Sequence, residues 1–409
     1  MPTRKTPKPS GHRKPTTLTL QHIQSQQQSR LKSPQGHYFS PDPVPAGFHT
    51  VIDSNKFPQQ PWRDLPPPSG LPPFRMNLDV ILDSQSIQNI QKSGKLVFHS
   101  VGDTGGVNTP TYIEDVARFM ECDFVYTQPP DRPSFFYHLG DVVYYDGEGA
   151  NYWPEFYEPY LNYPAPIVAI PGNHDGDVNP ATGETSLEAF VRNFCSQAAV
   201  FSPDNREAPR RTMTQPNVYW TLNTPLVTII GLYSNCPEGG QIGEPQQAWF
   251  ISELKDADKK LPLIVAVHHP IYSAYGPHPG SQPLKYFLEQ SCTSSGRSPD
   301  LVLSGHVHDY QLFTAPLPGK DNVPFIVAGA GGYNKRLHVL SDIFHKEKLP
   351  IQIEGSDGVL QAFNDSQHGY LRITVTKTSI TADYVAVPDP SAGVKDSMLD
   401  VYESWTVTF

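Results

Sequence analysis

What most constrains this chain is a repetition at the ends of its apolar runs. Five short runs of strand character each stop on residues able to bind a cation. "KLVFHSVGD" ends on Asp103, "SFFYHLGD" on Asp141, and "APIVAIPGNHD" on Asn173, His174 and Asp175. "LPLIVAVHH" ends on His268 and His269, and "DLVLSGHVH" on His306 and His308. Between the runs lie segments of helical character, among them "TYIEDVARFMEC" (111–122), "EPQQAWFISELKDA" (244–257) and "PLKYFLEQ" (283–290). Alternation of this kind predicts an α/β fold in which two mixed β-sheets pack face to face and are flanked by helices. In such sheets ligands bind in the crevice beyond the carboxyl ends of the strands. A fold that brings these five ends together therefore gathers Asp, Asn and His at one edge.

Taken alone, a Gly-Asp after a strand reads as a turn, and an isolated His-x-His reads as a structural pair. The same type of residue at five successive strand ends favours a site. Asp and Asn offer hard oxygen donors and His a borderline nitrogen, a mixture suited to Fe, Mn or Zn. A carboxylate shared by two ions about 3.5–4 Å apart makes a centre that acidifies a water and stabilises both oxygens of a phosphoryl displacement. Glycines precede four of the ligand positions (Gly102, Gly140, Gly172, Gly305), where the backbone must turn tightly and approach the site.

The rest of the chain divides by charge and proline. Fifteen of 43 prolines fall in the first 73 residues, and residues 1–41 hold seven Lys or Arg and no acid. Residues 1–75 are thus expected to be a disordered basic tail and a Pro-rich arm wrapping the body. The body, 76–409, reads as one domain, with regular structure from about Leu96. It includes an insertion at 176–217, a candidate lid carrying Arg192, Arg206, Arg210 and Arg211, and C-terminal β-strands at 369–409. With an overall charge of −10 against that basic tail, the body is too acidic for a nucleic-acid binder. No stretch has the length and apolarity of a membrane span, and the N-terminus lacks an apolar signal segment. Four scattered cysteines without CxxC spacing predict reduced thiols, and the expected location is cytoplasmic. No protein partner is assigned to the tail.

The series GD, GD, GNHD, H, GHxH resembles the calcineurin-like metallophosphoesterase superfamily. Two details narrow the resemblance. The opening motif is Asp103-Thr-Gly105, without the usual histidine, and the next is Gly140-Asp141-Val-Val-Tyr144. Both are similar to the purple acid phosphatase branch, in which a tyrosinate takes the missing ligand's place. The resemblance implies a four-layer metallophosphoesterase sandwich and two metal ions. Fe would be held by Asp103, Asp141, Tyr144 and His308. A second ion, Fe, Zn or Mn, would be held by Asp141, Asn173, His268 and His306. His268 is preferred to His269, and Tyr144 to Tyr145, on the family's spacing. Asn173 and His174 would contact the phosphate, and His278, in "SAYGPHPGS", would serve with His174 as a catalytic histidine. The "GAGGY" stretch ending at Tyr333 also matches the family. The implied activity is hydrolysis of a small phosphorylated substrate, a phosphomonoester by preference, through a metal-bound hydroxide. The alternatives are a phosphodiesterase or nucleotide pyrophosphatase on the same core, or a non-catalytic scaffold.

Overall fold

The computed structural model describes residues 16–19, 61–107, 109–389 and 400–409. Most of the tail expected at 1–75 lies outside the described residues. Two mixed sheets form the body, as the alternation predicts. The smaller has six strands: β3 (Lys95–Val101), β4 (Phe136–His138) and β5 (Ile167–Ala169) run parallel. Beside β3, antiparallel β14 (Gly369–Thr376), β15 (Ser379–Ala386) and β16 (Asp400–Thr408) complete it.

The larger sheet has ten strands. Its centre is β7 (Thr228–Leu232), β8 (Leu263–Val267), β9 (Leu301–Ser304) and β11 (Lys320–Ala328), all mutually parallel. One flank is β6 (Trp220–Asn223) and β2 (Arg75–Asn77). The other holds β10 (Tyr310–Leu317), β13 (Val359–Asn364), β12 (Ile351–Glu354) and the edge strand β1 (Thr16–Thr19).

Strand periodicity divides the interior into two cores. Ile264, Ala266, Leu301, Leu303, Ile326 and Ala328 point to the core shared with the smaller sheet, alongside Leu96, Phe98, Phe136 and Ile167. The alternate residues Val265, Val267, Val302, Phe325 and Val327 face a second core. Phe250 and Leu254 of helix Glu244–Asp256, with Leu284 and Leu288 of helix Gln282–Ser295, cover that face. The layers are therefore helix, sheet, sheet and helix, the last including Thr111–Tyr126, whose Ile113, Val116 and Met120 join the first core.

Regular structure begins earlier than Leu96. The arm is held from Arg63, whose N–H donates to Asn235 Oδ1 while Asn235 donates back to its carbonyl. Arg63 also pairs with Asp177 at 3.0 Å, and Arg75 forks onto buried Glu253 at 2.8 Å. Helix Ser84–Ser93 starts on Asp83, which accepts from Ser86 N–H, and stops at left-handed Gly94. A 3-10 turn at Gly149–Asn151 is followed by a short π-helical turn over Trp153–Tyr157. Among the described residues no helix is long and apolar enough to cross a membrane. All four cysteines are free thiols.

Within the insertion, two arginines serve the fold. Arg192 pairs with Asp204 at 2.7 Å and Glu184 at 3.3 Å. Arg210 donates to the carbonyls of Ala165, Tyr160 and Tyr163 at 2.9, 3.1 and 2.7 Å. Helix Glu188–Phe194 buries Phe190 and Phe194 in the main core. Arg206 and Arg211 lie over the rings of Trp153 and Phe201. Replacing Arg210 by Ala strands three carbonyls, so urea denaturation should show a loss of about 3 kcal/mol. A loss under about 1 kcal/mol, the range of exposed pairs, would contradict this structural role.

Candidate metal centre

Register brings the strand ends level. Val101, His138 and Ala169 stand side by side in the smaller sheet. Leu232 pairs with Val267, and Ala266 with Leu303, in the larger. The loops that follow leave from one edge and are laced across both sheets. Gly102 N–H donates to Ala328 O at 2.9 Å, Gly305 N–H to His268 O at 3.0 Å, and Tyr333 N–H to Asp103 O at 3.0 Å.

The loops are strained at the site. Asp103, Asp141 and His306 take φ of 57°, 51° and 68°, a left-handed backbone costing side-chain-bearing residues about 1–3 kcal/mol each. Surrounding bonds hold them there. Asp103 N–H donates to Gly140 O at 3.0 Å, and His306 N–H to Asp103 Oδ2 at 2.8 Å. Buried Asp175 ties two loops together, accepting from Val142 and Gly172 N–H at 3.1 and 2.8 Å. The glycine requirement is steric at Gly172, where an added Cβ would collide with Asp141 Oδ1 and the Asp141 backbone nitrogen.

All seven residues expected as ligands meet here. Asp103 Oδ1 stands 3.3 Å from Tyr144 Oη and 3.5 Å from His308 Nε2. His268 Nε2 stands 3.2 Å from Asp141 Oδ2, and 4.0 Å from Asp103 Oδ1. His306 Nδ1 is 3.0 Å from Asn173 Oδ1. Donor atoms of Asp141, His268 and His306 lie within 4.8 Å of one another. The cluster thus separates into Asp103, Tyr144 and His308 on one side and Asn173, His268 and His306 on the other, with Asp141 close to His268.

The donor chemistry suits cations. His268 Nδ1–H donates to Leu139 O at 2.9 Å. In the neutral ring that leaves the lone pair on Nε2, a buried atom 3.2 Å from Asp141 Oδ2. An acceptor facing an acceptor in a buried site needs a proton or a metal between them. Burial disfavours the His268 cation, yet Asp141 and Asp103 outweigh it and raise the ring's pKa to about 9. Burial likewise works against ionised Asp141, but His268, His174 and His306 hold it below the usual carboxylate range. Burial, with Asp141 and Asp103 beside it, pushes the Tyr144 phenol well above its usual value. Tyr144 therefore donates to Asp103 until a strong Lewis acid takes the proton's place. These residues fit a dinuclear cation centre.

His174 sits at the rim. Its N–H donates to Asp141 Oδ1 at 2.9 Å and its Nδ1–H to Tyr145 O at 2.7 Å, and its ring lies 4.5 Å from that of Tyr144. His278 comes within 4.7 Å of the His306 ring. His269 turns away to Ser234 Oγ at 2.8 Å and backs His306 ring to ring at 4.3 Å. Tyr333 packs on Tyr144 at 4.1 Å.

Two neighbours escaped the sequence reading. Glu238, in "SNCPEGG", approaches both His278 and His306, at 3.0 and 3.4 Å. His338 stacks on His308 at 4.2 Å, and its Nδ1 accepts the His308 N–H. Neither directly follows an apolar run. The only signal was Glu238 standing ahead of two glycines in the loop after β7.

A family model described as calcineurin-like phosphoesterase matches residues 97–310. The chain is 24% identical over 217 residues to purple acid phosphatase 21 of Arabidopsis thaliana, covering 51% of this chain and 43% of that protein. It is 29% identical over 188 residues to purple acid phosphatase 1 of Ipomoea batatas, covering 42% and 35%. With Fe(3+)-Zn(2+) purple acid phosphatase 12 of Arabidopsis thaliana it shares 26% over 197 residues, covering 46% and 38%. The matches thus span less than half the length of these relatives. Among solved structures, GAP50, the anchor in the inner membrane complex of Plasmodium, aligns with a TM-score of 0.50 at 14% identity, over 77% of this chain and 89% of that one. That likeness speaks for the fold alone. With the family model covering the strand-end motifs over about half of the chain, the chain belongs to the calcineurin-like phosphoesterase family.

Proposed function

We propose that this chain is a dinuclear metal-dependent hydrolase of phosphate esters, acting by preference on small phosphomonoesters. The observation that carries the reading is the buried Nε2 of His268, held 3.2 Å from Asp141 Oδ2 inside a cluster of oxygen and nitrogen donors. Asp103, Tyr144 and His308 would hold one ion, Asn173, His268 and His306 the other, and Asp141 would contact both. A phenolate ligand favours iron at the Tyr144 position, with Fe, Zn or Mn at the second. One relative carries Fe(3+)-Zn(2+) in its name, which supports this choice. When bound, the two cations would supply charge neutralisation at the phosphate oxygens and an acidified water for attack at phosphorus.

The chain's own residues do the rest. The Leu139 carbonyl keeps the His268 lone pair directed at the site. Asn173 and His174 would contact the substrate phosphate. His174 Nδ1–H is committed to Tyr145 O, so the ring would bind a phosphoryl oxygen as an imidazolium, through Nε2–H. His278 would give the leaving oxygen its proton. The expected phosphomonoester follows from the Tyr144 motif and from relatives named phosphatases.

Substitution, metal removal and substrate comparison test this reading. Asp141→Asn should lower kcat/KM on an aryl phosphomonoester by about 100- to 1,000-fold, the cost of removing one preorganised charge-stabilising group. Gly172→Ala should lower it too, because the added methyl collides with Asp141. Thermal melts would verify that both variants fold. Dialysis against a chelator should abolish the wild-type activity and added Fe or Zn restore it. Activity that survives chelation would contradict the reading. A higher kcat/KM on the matching diester would replace the monoester assignment with the diesterase one.

A further inference from the structure

Glu238 follows β7 and precedes two left-handed glycines, Gly239 and Gly240, with φ of 76° and 75°. Its Oε1 lies 3.0 Å from His278 Nδ1 and 3.4 Å from His306 Nε2. The other His306 nitrogen, Nδ1, lies 3.0 Å from Asn173 Oδ1, and the ring has a nitrogen within 4.8 Å of donor atoms of Asp141 and His268. The His306 ring thus has an oxygen at each nitrogen, and a neutral imidazole carries one proton. If that proton sat on Nδ1, it would form an ordinary hydrogen bond to Asn173, and no lone pair would face the centre. If it sits on Nε2, facing Glu238, the Nδ1 lone pair points inward. A charge-assisted bond to a carboxylate is roughly twice as strong as a neutral one to an amide, so Glu238 wins the competition for the proton.

We propose that Glu238 is a positioning residue that fixes the His306 tautomer and ring plane, so that Nδ1 is the atom offered to the second ion. The proposal rests on the dinuclear reading above. It explains why one carboxylate serves both a ligand histidine and the pocket histidine, His278, whose rings stand 4.7 Å apart. His269 offers this ring no carboxylate. It packs against the ring, but its Nδ1 is engaged by Ser234 Oγ. Carboxylates on the outer nitrogen of metal-binding histidines raise ligand basicity and fix orientation, and their loss weakens metal affinity about 10- to 100-fold.

The test uses the full chain, stripped by chelation and titrated with Zn2+ against a chromophoric chelator. Glu238→Ala should weaken one of two binding steps by about 10- to 100-fold and leave the other within about twofold. Glu238→Gln keeps an acceptor oxygen without the charge and should fall between. In metal-free protein labelled with 15N-histidine, the ring shifts of His306 should report the Nε2–H tautomer in the wild type and Nδ1–H in Glu238→Ala. Loss of packing alone would not exchange the tautomers. Unchanged Zn2+ constants, or an Nδ1–H ring in the wild type, would overturn the proposal. So would a third tight Zn2+ site lost in Glu238→Ala, because the donor atoms of Glu238, His278 and His306 lie within 4.8 Å of one another. A wild type that takes up fewer than two ions would overturn the dinuclear reading as well, and would be recognised before any variant is made.

Discussion

Everything at the strand-end edge depends on lone pairs that converge without protons enough to satisfy them. Asp103, Asp141, His268 and His306 are buried, and the acceptors of one face the acceptors of the next. An arrangement of this kind is costly in an apolar interior unless cations occupy it. The strain in the loops has the same origin. Left-handed backbone at Asp103, Asp141 and His306 aims three side chains at one point, and the cross-sheet hydrogen bonds of Gly102, Gly305 and Tyr333 hold the loops in that state. The two packed cores beneath make the edge rigid, so the energetic cost of the site is carried by a fold that does not depend on it.

Much of this was legible in the sequence because the coding is local. Each of the five strands ends within four residues of its ligand, and parallel register then makes adjacency in the sheet automatic. The preference for His268 over His269 also agrees with the geometry. His268 ends the strand facing Asp141, and its neighbour turns to Ser234. Tyr144 lies beside Asp103, where the motif spacing put it.

What was not legible depends on partners distant in sequence. Glu238 sits in a loop five or more residues past its strand, so no periodicity points to it. The partners of the arginines of 176–217, Asp204 and three carbonyls near Tyr160, are likewise found only by folding. Helix Ser84–Ser93 is polar apart from two isoleucines, which hid it beside the Pro-rich arm despite its Asp83 cap and Gly94 stop. The hairpin of β12 and β13 was passed over for a similar reason. Only alternate residues of β13 are buried, and its turn, Gly355–Gly358, reads as an ordinary loop.

Tyr144 joins the central claim to an observable. A phenol pushed above its usual pKa by burial and by two carboxylates becomes a phenolate only when a strong Lewis acid binds it, and a phenolate on iron absorbs visible light. The most direct measurement is the visible spectrum of aerobically purified protein, with elemental analysis, on wild type and Tyr144→Phe. A broad charge-transfer band in a protein holding two metal ions, lost or shifted in the variant, is the predicted result. A protein that carries two ions with no such band would contradict the ferric assignment, and one that carries no metal would contradict the dinuclear centre itself.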